Sequence, residues 1–184
     1  MSSGTRGFDL LGATCGLLVF APVMGVVAAA VRLGGKPVFF RQTRLGLGRR
    51  PFTILKFRSM VNGKVTPVGR VLRATGLDEL PQFINILRGE MSAVGPRPLT
   101  GDDVARLGWT GPEYDFRWLA RPGLTGLAQI AGSDSPQASL ELDRAYLADH
   151  DALLDCRLIA LSFAVNVLGK ARVRQWFRKT KRCT

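Results

Sequence analysis

The sequence predicts an α+β protein, mostly helical and embedded in a membrane, and three observations carry that prediction. Leu10 to Val31 contains no charged residue. Two runs rich in β-formers, Val38–Arg44 and Phe52–Arg58, flank a glycine-containing, arginine-rich loop. A second apolar stretch, Leu153–Leu168, leads into a basic run with interleaved aromatics. The chain has 184 residues, about one domain's worth, so a single integrated domain with one site is expected.

The first segment, residues 1–35, is the membrane segment. A helix over Leu10–Val31 is about 33 Å long, enough to cross the hydrocarbon core of a bilayer. Arg32 and Lys36 follow it as a membrane exit rather than a cleavage site, so the segment is expected to be retained. Pro22 lies near the middle of the run and removes a backbone donor there, so it is the expected break in the helix. The kink permits either a bent spanning helix or a helix that enters and leaves by one face. With Arg6 before the run and Arg32 and Lys36 after it, the residues alone slightly favour spanning.

Residues 36–150 form the polar working region. The two β-rich runs around Leu45–Pro51 read as a hairpin. Alternation along the second strand places Phe52, Ile54, Lys56 and Arg58 on one face, with the two cations as neighbours. Leu77 to Gly89 reads as a short helix that Asp78 caps, with Pro81 in its first turn and Gly89 as its left-handed stop. Leu80, Phe83, Ile84 and Leu87 give it an apolar stripe.

A helix start offers free backbone donors and favours anions. Arg70 and Arg73 precede the adjacent acids Asp78 and Glu79, and Arg97 sits between two prolines in Gly95–Pro98. Paired carboxylates among cations suit a divalent metal that bridges protein and diphosphate, since Mg²⁺ prefers carboxylate, water and phosphate oxygens. On their own, these residues read more readily as an ordinary helix cap and solvated cations than as a phosphate site.

Residues 151–184 are expected to form apolar and basic interfacial helices. With 26 Lys and Arg against 14 Asp and Glu, the net charge of +12 favours polyanionic partners: anionic lipid, phosphorylated substrate or nucleic acid. Beside a long apolar anchor, lipid is favoured and nucleic acid is not expected. Cys15, Cys156 and Cys183 have no paired spacing, and His150 is the only histidine, so a disulfide framework, a zinc site and a serine-protease triad away from His150 are all unsupported. No Rossmann fingerprint, P-loop or zinc-protease motif occurs.

Five blocks in one order resemble the bacterial sugar transferases, the monotopic phosphoglycosyl transferases. They are Phe39–Gln42, Lys56–Met60, Leu77–Gln82, Met91–Leu99 and Arg121–Gly126. The resemblance runs from about Phe8 to Leu168. It implies a phosphoglycosyl transferase that moves a sugar-1-phosphate from a UDP-sugar to a polyprenol phosphate such as undecaprenyl phosphate. The reaction would pass through a covalent aspartyl intermediate with release of UMP, for glycan or exopolysaccharide synthesis.

Asp78 would be the nucleophile, Glu79 its assistant, and the two together the Mg²⁺ ligands. Lys56, Arg73 and Arg97 match positions expected to hold phosphate. The resemblance also implies a proline-broken re-entrant helix at Pro22 in one leaflet, at the cytoplasmic face of the bacterial inner membrane. Partners would be the lipid bilayer and later glycosyltransferases, and the alternative is an inactive membrane-bound relative. Ala21 stands where the family often has serine before the proline, while Ala74, Gly76 and Leu127 also depart from its pattern and bear on sugar choice.

Overall fold

In the computed structural model, residues 3–132 and 135–168 are described. The basic aromatic run expected from Lys170 to Arg182 lies outside the described residues.

The element order is α1 (Ser3–Leu33), β1 (Phe39–Leu45), β2 (Pro51–Phe57), β3 (Met60–Val61), β4 (Lys64–Val65), α2 (Pro67–Thr75), α3 (Gln82–Leu87), β5 (Ser92–Val94), α4 (Gly101–Leu107), β6 (Gly123–Thr125), α5 (Leu127–Ala131), α6 (Pro136–Asp149) and α7 (Ala152–Leu168). Short 3₁₀ turns cover Leu47–Arg49, Leu77–Glu79 and Pro112–Leu119. Helices predominate and the sheets are small, in line with the predicted α+β class.

Helix α1 continues through Pro22 without a gap. Only 11 % of its most apolar window is buried, whereas a core helix of a soluble protein would be mostly covered. Its inward residues, Asp9, Ala13, Val27 and Val31, lie on one stripe of near-helical period. Leu11, Leu18, Val19 and Val26 stand exposed on other faces.

The inward stripe is held at both ends by polar groups of the body. Arg6 donates to the carbonyls of Ile86 and Leu87 at 2.7 and 3.1 Å. Buried Asp9 accepts from Ser92 Oγ at 2.9 Å and from Ala93 N–H at 2.8 Å. At the other end, Arg58 donates to the carbonyls of Val31, Gly35 and Lys36. These partners separate Arg58 from Lys56, so the two cations do not form the joint patch that strand alternation predicts. Phe57 is buried at the strand's end and breaks the alternation.

The predicted hairpin is present: β1 and β2 pair antiparallel, with Phe40 opposite Lys56 and Arg44 opposite Phe52. Helix α3 packs between α1 and β2. Its Asn85, fully buried, behaves like a short piece of strand: its amide donates to Thr53 O at 2.7 Å and to Glu90, and it accepts from Leu55 N–H at 3.0 Å. Phe83 lies against Gly16, where a β-carbon would collide with the ring, so the glycine lets α1 and α3 approach.

Strands β5 and β6 pair in parallel, Ser92 with Gly123 and Val94 with Thr125. One face of α7 closes the core behind them through Leu158 and Val165, which pack with Val94, Ile130 and Tyr146. Leu153 and Phe163 on the same helix remain exposed. This segment therefore serves the protein core as well as presenting an apolar surface.

Candidate functional site

The acid pair sits where α2 hands over to α3. Thr66 caps α2 at its start by accepting from Gly69 N–H at 2.9 Å. Gly76, at φ 74°, ends the helix in the left-handed region that glycine adopts without strain. Asp78 does not cap α3, contrary to the sequence reading. Pro81 has no N–H to offer, so the backbone before it closes in 3₁₀ fashion: Glu79 N–H donates to Gly76 O at 3.1 Å and Leu80 N–H to Leu77 O at 3.4 Å. The α-helix starts only at Gln82, with Pro81 as its uncapped N-cap. Gly89, at φ 79°, follows the end of α3 as predicted.

Leu77 and Leu80, which bracket the acids, join a cluster with Val27 and Val31 of α1, Phe57 of β2 and Leu72 of α2. The expected apolar stripe is thus partly a bracket for the acids. The residues of α3 that are most buried are Gln82, Asn85 and Ile86.

Lys56 reaches from β2 to Glu79, Nζ to Oε1 at 2.5 Å. Arg73, in the last turn of α2, contacts Met60 Sδ at 3.0 Å and is near enough to act on the charge of Asp78. Burial, and then the adjacent charge of Glu79, push the Asp78 carboxyl above its ordinary range; Lys56, its own backbone N–H and Arg73 pull it back. The arrangement therefore sets a half-buried carboxyl beside two cations. Among the described residues no group of three or more potential metal-ligating side chains occurs. Asp78 and Glu79 are two carboxylates without a protein cage, a donor set that suits an ion arriving with water and phosphate oxygens.

The structure brings four of the five predicted side chains together: Lys56, Arg73, Asp78 and Glu79. Arg97 is elsewhere. It is exposed on the Gly95–Pro98 turn and close enough to Arg44 to disfavour that residue's charge. Arg44 and Lys56 attach four residues apart along the hairpin register, about 13 Å at the rise of a strand.

The Gly95–Pro98 turn is tied on every side. Gly95 N–H donates to Thr125 O and Gly123 N–H to Pro96 O, both at 2.9 Å. A β-carbon on Gly95 would run into Arg121 O and Gly123 N, which explains the glycine. Sequence reasoning did not find the residues behind this turn, Arg117 and Asp143, which form a buried ion pair at 2.8 Å. Each looks like an ordinary surface charge in the sequence, so only tertiary contact reveals them.

Residues 2–169 match the Bacterial sugar transferase family. The chain belongs to that family. Among its relatives is the UDP-glucose:undecaprenyl-phosphate glucose-1-phosphate transferase of Caulobacter vibrioides, 44 % identical over 162 residues, which cover 78 % of this chain and 59 % of that protein. The UDP-N-acetylgalactosamine-undecaprenyl-phosphate N-acetylgalactosaminephosphotransferase of Aeromonas hydrophila is 36 % identical over 84 % of this chain and 41 % of its own length. Against these two members the chain spans about half of the relative. The match to the exopolysaccharide production protein PSS of Rhizobium leguminosarum, 36 % identical, covers 84 % of this chain and 90 % of that protein. The family match takes in every element of the site, from α1 to α7.

Proposed function

We propose that this sugar transferase moves a sugar-1-phosphate from a UDP-sugar to a polyprenol phosphate, undecaprenyl phosphate in the test below, in two displacements on Asp78. The observation that carries the reading is the position of the acids. Asp78 and Glu79, with Lys56 and Arg73 beside them, lie between two leucines docked on a mostly uncovered apolar helix. A reaction that joins a water-soluble diphosphate donor to a lipid-borne phosphate needs its nucleophile at such a boundary.

In the first displacement a carboxylate oxygen of Asp78 attacks the sugar-bearing phosphorus. The bond from that phosphorus to the bridging oxygen breaks, and UMP leaves with the oxygen. In the second, an oxygen of the polyprenol phosphate attacks the same phosphorus, the aspartyl–phosphorus bond breaks, and Asp78 is regenerated. Glu79 assists the acceptor and, with Asp78, would hold Mg²⁺. When bound, that ion neutralises diphosphate oxygens as charge develops. Lys56 and Arg73 attract phosphate oxygens at the acid pair and keep Asp78 ionised. Arg97, beside Arg44 and not among the groups acting on Asp78, is assigned to the UMP side of the donor.

The two anchors of α1 support a one-leaflet placement, with the re-entrant bend at Pro22 made within a continuous helix and not by a gap in it. Arg6 and Asp9 near one end and Val31 near the other bond to the same body. A helix crossing the bilayer would carry the Asp9–Ser92 contact through hydrocarbon, where polar groups are costly. The site then faces the cytoplasm at the bacterial inner membrane, where UDP-sugars are made, and its lipid product passes to later glycosyltransferases of glycan or exopolysaccharide assembly.

The test is UMP release by purified protein in nanodiscs, given Mg²⁺, undecaprenyl phosphate and a panel of UDP-sugars. Release with one donor, lost in Asp78→Asn, is expected, together with a radiolabelled protein intermediate when the acceptor is withheld. No release and no labelling with any UDP-sugar would overturn the enzymatic reading in favour of an inactive relative.

A further inference from the structure

The ion pair of Arg117 and Asp143 has no evident part in the chemistry and is costly to bury. Each residue is 3 % exposed. Arg117 Nε donates to Asp143 Oδ2 at 2.8 Å, and the guanidinium lies 5.1 Å from the ring of Trp109 and 5.8 Å from that of Trp118. A buried pair of this kind seldom repays its desolvation, and an apolar pair of like volume usually serves stability as well. An apolar pair could not, however, supply a hydrogen-bond donor.

That donor is used. Arg117 Nη2 donates to the backbone carbonyl of Arg97 at 3.1 Å. The next carbonyl, of Pro98, accepts from Arg44 Nη1 at 3.2 Å, and Arg44 is itself held by Asp103 at 3.2 Å and Gln42 at 2.6 Å. The preceding carbonyl, of Pro96, accepts from Gly123 N–H. Three consecutive carbonyls are therefore drawn inward while the Arg97 side chain stands exposed. Two of the three holders are cations, each paired with an aspartate, while the turn presents the Arg97 charge without a counter-ion among the described residues.

We propose that Arg117, oriented by Asp143, is a positioning residue for the transferase: it acts through Arg97, fixing that backbone so the guanidinium waits for the nucleotide end of the donor. The inference rests on the assignment of Arg97 to the UMP side under Proposed function. Its action is on donor binding, not on the attack at phosphorus or on the lipid acceptor.

The experiment is steady-state UMP release in nanodiscs by Arg97→Ala, Arg117→Lys, their double variant and Asp143→Asn, with melting curves for each. Arg97→Ala and Arg117→Lys should each raise KM for the UDP-sugar about tenfold, with kcat and the KM for undecaprenyl phosphate within about twofold of the starting protein. The double variant should be no worse than Arg97→Ala alone, because a residue acting only through another adds nothing once that other is gone.

Losses that multiply in the double variant overturn the proposal. So does Arg117→Lys with unchanged donor KM, or with kcat and both KM values moving together. Should Arg117→Lys fail to fold, Asp143→Asn decides: it keeps size and an acceptor oxygen, and a donor-KM shift is expected, while none overturns the proposal. An unchanged donor KM in Arg97→Ala, with Asp78→Asn still inactive, removes this inference and the Arg97 assignment but leaves the nucleophile. Normal turnover by Asp78→Asn instead defeats the reaction proposed above.

Discussion

The turn that carries Asp78 and the turn that carries Arg97 both begin at a glycine, and they are built on opposite terms. Around Asp78 the backbone is a single loose 3₁₀ turn with one long hydrogen bond, and the side chains are half-buried and set against one another. Around Arg97 three consecutive carbonyls are held, two prolines fix φ, and the side chain is free in solvent. One turn perturbs its carboxyl on a lightly bonded backbone; the other fixes its backbone and leaves its side chain exposed. The roles proposed above fit that contrast: a nucleophile that bonds and releases phosphorus in turn is served by the first construction, and a group that only holds a ligand by the second.

The largest test of this contrast is Asp78→Asn. UMP release should fall by about 10³-fold or more. Because the folded carboxyl titrates above its unfolded value, the folded state is penalised for ionising it as pH rises through that range. The neutral variant should therefore melt no lower than the starting protein at pH 7 to 8 by scanning calorimetry. A large fall in melting temperature would mean that Asp78 holds the turn together, against the comparison.

Next is Lys56→Met. Loss of that cation removes a force favouring ionised Asp78, so the acidic limb of kcat/KM against pH should move upward, with about 10²-fold loss at neutral pH. An unmoved limb would separate Lys56 from the acid.

On the other turn, Gly95→Ala should cost roughly 1–3 kcal/mol of stability by urea titration, since its new methyl meets backbone rather than a yielding side chain. The smallest effect is expected from Thr66→Ala, about 1 kcal/mol from the lost cap of α2, with donor KM unchanged.

Local chemistry was legible in the sequence and distant pairing was not. The β1–β2 hairpin and the Gly89 stop follow from nearest-neighbour preferences, and the structure bears them out. Asn62–Gly63 makes a second small hairpin, with φ of 50° and 76°, and that dipeptide is itself a local turn signal. Asp78 has the residue type and position of a cap, but the proline three residues later decides otherwise through the donor it lacks. The parallel pairing of β5 with β6 joins segments some thirty residues apart. The partners of Asn85, Arg58 and Arg117 are set by which elements meet in space, which residue type does not announce.

The Asp9–Ser92 contact has a consequence for how the protein is made. The two residues are 83 positions apart, so at cellular rates of synthesis, about 5–20 residues per second, the ribosome delivers the serine on the order of ten seconds after the aspartate. The two residues emerge from the ribosome the same interval apart, and until Ser92 emerges the Asp9 carboxylate on the inward stripe lacks that partner. In the one-leaflet placement proposed above, such a helix should stay at headgroup depth and reach its final position only after β5 arrives. Nascent chains stalled before residue 92 should accordingly wash off membranes in high salt, while chains stalled well beyond it should stay.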